Sequence, residues 1–192
     1  MSERWDRHFL GLALAHARMS KDPSTQVGAV IIGTGRAILS AGFNGLPRGV
    51  KDTDARLCNR DVKLKLIVHA EMNAVLAAAR LGVRIDGTTL YLAATDDTGM
   101  VWGGPPCTRC TVELIQAGIT EMVSYPVKTV PSRWQADLAV SRDLLAEVGL
   151  LYREVAPVAA LRQIVNNPAN ADLIAPGSDC IEGFNCQRQP KQ

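Results

Sequence analysis

The sequence predicts an α/β sandwich in which parallel strands lie buried between helices. Three observations carry that expectation. After an initial hairpin pattern, short β-branched and apolar runs alternate with longer segments of helical period, as parallel strands joined by helical crossovers require. Glycine punctuates the junctions, with Gly33, Gly82, Gly118 and Gly149 each following a periodic run. The 192 residues, 47% of them hydrophobic, suffice for one domain with a sizeable core.

Taken in order, Trp5, Phe9, Leu12, Ala13, His16 and Met19 recur at helical spacing and predict an amphipathic helix that stops before Pro23. Residues 27–32 and 36–41 are strand-like runs joined by Gly33-Thr34-Gly35, a hairpin pattern, and 42–49 follow as a loop. The charged stretch 52–65 reads as a partly exposed helix or loop, with Arg56, Arg60, Lys63 and Lys65 on a solvated face. Residues 69–81 are apolar almost all round, which predicts a buried helix closed by Gly82. Strands are expected at 88–93, 119–125 and 150–155, helices at 107–117 and 132–148, and a loop at 95–106. Residues 1–157 thus form the domain; 158–192, rich in Pro, Asn, Gly, Asp and Gln, form an irregular tail.

Composition narrows the function. With 21 basic against 19 acidic residues and 5% aromatic, the chain lacks the basic face and stacking platform of a nucleic-acid binder. Its longest apolar runs fall well short of the ~20 residues of a membrane span. The charged start Met1-Ser2-Glu3-Arg4 does not look like a signal peptide, so a cytoplasmic protein is expected. Cysteines at 58, 107, 110, 180 and 186 are odd in number, which fits a disulfide framework poorly and directs attention to metal or catalytic use.

Two stretches carry chemistry: His69-Ala70-Glu71 and Pro105-Pro106-Cys107-Thr108-Arg109-Cys110. Positions three apart share a helix face, so Cys107 and Cys110 can present both sulfurs to one ion. Pro106 places Cys107 at a helix N-terminus, where unpaired amides and the helix dipole favour the metal-binding thiolate. One imidazole and two thiolates leave a fourth tetrahedral position open, as a catalytic zinc requires. Glu71, two residues past His69, would face away from it in mid-helix. At a helix start that objection weakens, and a carboxylate there can take a proton from a metal-activated water and pass it on. Alone, the C-x-x-C reads equally as half a structural zinc knuckle or a redox pair; order and spacing together favour a hydrolytic zinc site.

H-x-E followed by P-C-x-x-C is similar to the signature of zinc-dependent nucleobase deaminases. Among these the chain resembles the deoxycytidylate (dCMP) deaminases over residues 5–155. Three stretches carry the likeness: Asp22-Pro23-Ser24-Thr25-Gln26-Val27-Gly28-Ala29-Val30, Gly42-Phe43-Asn44-Gly45-Leu46-Pro47-Arg48-Gly49 and Val68-His69-Ala70-Glu71-Met72-Asn73-Ala74. The resemblance implies a three-layer αβα sandwich around a five-stranded mixed sheet, the cytidine deaminase-like fold, with one Zn²⁺ held by His69, Cys107 and Cys110. It implies conversion of dCMP to dUMP and ammonia in pyrimidine deoxynucleotide metabolism, with Glu71 carrying protons between water, ring N3 and the departing amine. It further implies a substrate cleft touching Asn44, Thr25 and Ala70, with Arg80 on phosphate. An allosteric site for dCTP or dTTP, with Mg²⁺, would involve Gly42, Asn44, Gly45 and Arg48 in a homo-oligomer, usually a hexamer.

Other readings stand beside these. Asn44 also suits a left-handed turn next to Gly45, and Ser24 and Thr25 a strand-entry turn. Arg80 follows His69 by about 16 Å along a helix at 1.5 Å per residue, so it suits a neighbouring subunit's phosphate or an interface salt bridge better than its own site. The stretch 95–104 is longer than dCMP deaminases commonly carry, and its Trp102 reads as a lid or base stack, or as an aromatic filling a groove. Cys58 reads as a buried thiol rather than a second-metal ligand, and His8 and His16 as packing or surface residues. Rival substrates are dCTP, a 5-modified dCMP, free cytidine and adenosine in tRNA. A rival of another class is a catalytically silent nucleotide-binding relative, against which the presence of Glu71 speaks.

Overall fold

The computed structural model describes residues 1–96, 99–127 and 132–157. The expected tail 158–192, with Cys180 and Cys186, and Asp97 and Thr98 of the 95–104 stretch lie outside the described residues.

The chain opens with helix α1 (Glu3–Ala17), then strands β1 (Thr25–Ile32) and β2 (Ile38–Phe43). Two short helices follow, α2 (Asp54–Leu57) and α3 (Arg60–Leu66), before α4 (Ala70–Leu81) and β3 (Thr88–Asp96). A two-residue strand, β4 (Val101–Trp102), precedes α5 (Thr108–Gln116), β5 (Ile119–Ser124), α6 (Ser132–Glu147) and β6 (Leu151–Glu154). The five expected strands run in the order β2-β1-β3-β5-β6. β1 is antiparallel to both β2 and β3, whereas β3, β5 and β6 are mutually parallel, so the sheet is mixed. β4 adds a short sixth strand inside the expected 95–106 loop, pairing Trp102 with Ala94 and Val101 with Thr95.

Side chains alternate across each strand and so feed two cores. Ala29, Ile31, Leu90, Leu92 and Met122 meet α4, α5 and α6 through Ala70, Ala74, Leu114 and Leu145. Val30, Ile32, Tyr91, Ala93 and Val123 meet α1 through Phe9, Leu10, Ala13 and Leu14. The result is the three-layer αβα sandwich.

The first hairpin differs from its expected register. Gly35 and Arg36 take left-handed φ values of 69° and 68° in a 3₁₀ turn, which consumes residues expected in the strand. β2 therefore runs to Phe43, and Gly42 is strand rather than loop. No space exists there for a side chain, because a Cβ on Gly42 would collide with Ala70 O and Ala74 N of α4. α4 itself is not buried on every side. Ala70, Ala74 and Ala78 form a small-residue stripe that seats it on the sheet, while Leu76 and Leu81 are 53% and 65% exposed. The 52–65 stretch is likewise not a uniformly solvated face, since α3 turns Lys63 inward to an ion pair with Asp22 at 2.7 Å. Among the described residues no helix is long and apolar enough to cross a membrane.

Candidate active site

Two helix starts converge to build the site. His69 is the N-cap residue of α4 and Cys107 that of α5, both with extended backbone, so each side chain leaves its helix end rather than its flank. The approach to α4 is held by a bridge in which Gly45 and Val68 exchange backbone hydrogen bonds of 3.1 and 2.8 Å. Asn73 of α4 donates to Phe43 O at 2.7 Å. The approach to α5 is held by β5: Gly104 N donates to Ser124 Oγ at 3.1 Å, and Gly103 packs where a Cβ would strike the Tyr125 backbone. Thr108 completes the arrangement, donating its amide to Asp137 Oδ2 at 3.0 Å and its hydroxyl to Asp137 O at 2.9 Å.

His69 Nδ1 lies 3.4 Å from Cys107 Sγ and 3.3 Å from Cys110 Sγ, and all three donor atoms fall within 4.8 Å of one another. These separations are close to the edge of a tetrahedron with Zn–N of about 2.0 Å and Zn–S of about 2.3 Å, and one imidazole with two sulfurs is a donor set that zinc prefers. The residues fit the ion. Their protonation is strongly linked. The Cys107 thiol is lowered to about 4, chiefly by a hydrogen bond from Cys110 and then by His69; Cys110 is pushed up by donating that bond and by burial. His69 is raised to about 9, first by its bond to Cys107 and also by the Glu71 charge.

Glu71 is 4% exposed, and burial pushes its carboxyl above the usual carboxylate range, with the His69 charge pulling the other way. A buried carboxyl beside three metal-binding donors, with its proton affinity raised, is equipped to accept a proton and return it. Ala70 is fully buried under the same helix start.

Asn44 is buried, and it is not in a left-handed turn: Arg36 is the one non-glycine described residue with positive φ. Its amide is tied to β1 instead, Oδ1 accepting from Val27 N at 2.7 Å and Nδ2 donating to Thr25 O at 2.9 Å. Since Gly45 is bonded to Val68, these bonds bring Asn44 and Thr25 beside the start of α4. Arg48 and Arg80 are exposed, Arg80 in the last turn of α4 away from His69, and neither makes an ion pair among the described residues. Trp102 is half-buried in β4. Cys58 is half-buried and disulfide-bonded, which corrects its reading as a buried thiol. His8 packs edge-on to Trp5 and Phe9, and His16 bonds Leu12 O, so both are helix-face residues as expected. Sequence reasoning missed Asp137, the Gly45–Val68 bridge and the Lys63–Asp22 pair, because each joins segments whose spacing carries no local pattern.

Comparison with known proteins agrees with the geometry. Residues 3–125 match the cytidine and deoxycytidylate deaminase zinc-binding region. An uncharacterized deaminase encoded in the luxG 3′ region of Aliivibrio fischeri is 37% identical over 152 residues, covering 78% of this chain and 92% of that protein. Deoxycytidylate deaminase of Mus musculus is 32% identical over 159 residues, 80% of each chain. A crystal structure of dCMP deaminase from the cyanophage S-TIM5 shares the fold, with a TM-score of 0.59, 22% identity and coverage of 81% of this chain and 100% of that one.

Proposed function

The chain belongs to the cytidine and deoxycytidylate deaminase zinc-binding family, and from that membership we propose that it hydrolyses dCMP to dUMP and ammonia. The observation that carries the reading is the convergence of His69, Cys107 and Cys110 beside a buried Glu71, in a chain alike over most of its length to deoxycytidylate deaminases. His69, Cys107 and Cys110 would hold the zinc, which when bound supplies a Lewis acid and an acidic water. Glu71 is the proton carrier. As water adds to C4 of cytosine, its carboxylate takes one of the water's protons and passes it to ring N3; as the C4–N bond breaks and the C4 hydroxyl becomes a carbonyl, it takes the second proton from that oxygen and passes it to the departing amine. Burial suits it to this cycle, because a carboxyl with raised proton affinity holds the proton between steps.

Asn44, Thr25 and Ala70 form the substrate wall in this reading. Asn44 has spare hydrogen-bonding capacity, because an amide offers two donors and two lone pairs and β1 occupies one of each. Exposed Arg48 and the Gly42–Gly45 segment supply the proposed triphosphate effector site for dCTP or dTTP, and Arg80 a phosphate contact in a neighbouring subunit. Homo-oligomerisation is supported by the apolar exposure of Leu76 and Leu81 on α4 and Ile38 on edge strand β2, and the resemblance to dCMP deaminases favours a hexamer. A cytoplasmic location completes the proposal.

The test incubates the purified protein with dCMP, dCTP, 5-methyl-dCMP, cytidine and adenosine, and follows ammonia release with and without dCTP as effector. Fastest turnover of dCMP is expected, and Glu71→Gln should lower it by ~10²–10⁴-fold with zinc retained. Turnover of none of the five by zinc-loaded protein would sink the assignment in favour of a silent nucleotide-binding relative.

A further inference from the structure

Cys107 occupies the N-cap of α5 without capping it. Its side chain makes no capping hydrogen bond, because the sulfur is turned to His69 and Cys110, and no acidic residue stands in the first turn of α5. A helix start leaves its first N–H groups without partners inside the helix. Here another helix satisfies one of them: Asp137 of α6 receives the amide of Thr108, the residue directly after Cys107, at 3.0 Å. Asp137 is half-buried, and beside its carboxylate its own carbonyl oxygen accepts the Thr108 hydroxyl at 2.9 Å. General adhesion between the two helices has its own device, the buried Thr111–Ser141 hydroxyl pair at 2.7 Å one turn further along α5.

We propose that Asp137 is a positioning residue for the metal site, fixing the peptide that carries Cys107 so that both sulfurs meet His69 in the geometry zinc needs. The proposal rests on the zinc reading of His69, Cys107 and Cys110. Bonds to the groups that carry metal ligands orient those ligands, and their removal typically costs ~10–100-fold in metal affinity. Asp137→Ala should weaken zinc binding by that order. Asp137→Asn, whose carbonyl oxygen can still accept the Thr108 amide, should restore most of the loss.

The experiment measures zinc affinity of full-length protein by competition with a chromogenic chelator, well below the melting temperature, with Ser141→Ala as control for plain loosening of the helix pair. Ser141→Ala should melt lower yet hold zinc as the parent does. Asp137→Ser, whose oxygen falls an atom short of the amide, replaces the alanine variant if that one does not fold. Parental zinc affinity in Asp137→Ala, a loss in Asp137→Asn equal to that in Asp137→Ala, or an equal loss in Ser141→Ala would each overturn the proposal. A parent that binds no zinc would instead overturn the zinc reading and the proposal with it.

Discussion

Lys63 and Asp22 form the most buried ion pair among the described residues, with side chains 9% and 6% exposed. The same Asp22 Oδ1 accepts the amides of Ser24 at 2.8 Å and Thr25 at 3.3 Å, and Thr25 O in turn accepts from Asn44. One buried charge on α3 therefore holds the entry to β1 and, through it, the Asn44 side chain. Removing one member of such a pair strands the other charge out of water, at a cost of ~3–5 kcal/mol. Lys63→Met should lose stability of that order in urea denaturation, and a parental midpoint would show the lysine to be solvated after all. His69, Cys107 and Cys110 were legible from sequence although they lie 38 and 41 residues apart, because each half of the site carries a short spacing with chemical meaning: H-x-E on one side, which also marks Glu71, and C-x-x-C on the other. Lys63 was not, because no spaced motif marks it or Asp22 and nothing in 52–65 distinguishes the one lysine that faces inward.

At the scale of elements, α4 shows what an apolar pattern leaves undecided. Hydrophobicity along 69–81 is nearly uniform, so it marks a helix without marking its packed face. Size makes the choice. Ala70, Ala74 and Ala78 lie along one stripe, and Gly42 of β2 lets the helix backbone come closer than any side chain would permit. Gly42→Ala should push α4 from the sheet, lowering stability by ~1–3 kcal/mol in denaturant titration. Because His69 caps that helix, zinc affinity should fall with it; unchanged zinc affinity would mean that the helix start is held independently of its seat. The strands were legible where they run long and apolar. β4 was not, because two residues show no alternation and their pairing depends on the ladder that β3 extends to Asp96.

Across the whole molecule, Arg153 of β6 binds Asp6 of α1 at 3.0 Å and Glu121 of β5 at 2.7 Å, Tyr91 of β3 donates to Asp6 at 2.7 Å, and Thr89 donates to Glu121 at 2.9 Å. Burial alone would raise the Asp6 carboxyl, but the Arg153 and Tyr91 bonds and the Arg153 charge outweigh it and hold it below the usual carboxylate range. A lowered folded-state value means that its stabilisation is complete above the ordinary carboxylate range and is lost as pH falls through the lowered one. Thermal melts should show Asp6→Asn less stable than the parent at pH 7, with the gap closing from about pH 4 downward; a gap independent of pH would assign the effect to packing. The clamp also constrains the order of assembly. Its Asp6–Arg153 bond joins residues 147 positions apart, whereas the β1–β2 hairpin closes over a short turn. Non-local closures of that span come late in folding. A sheet carrying α1 but not β6 would leave the Asp6 carboxylate buried with the Tyr91 hydroxyl as its partner and no guanidinium against its charge.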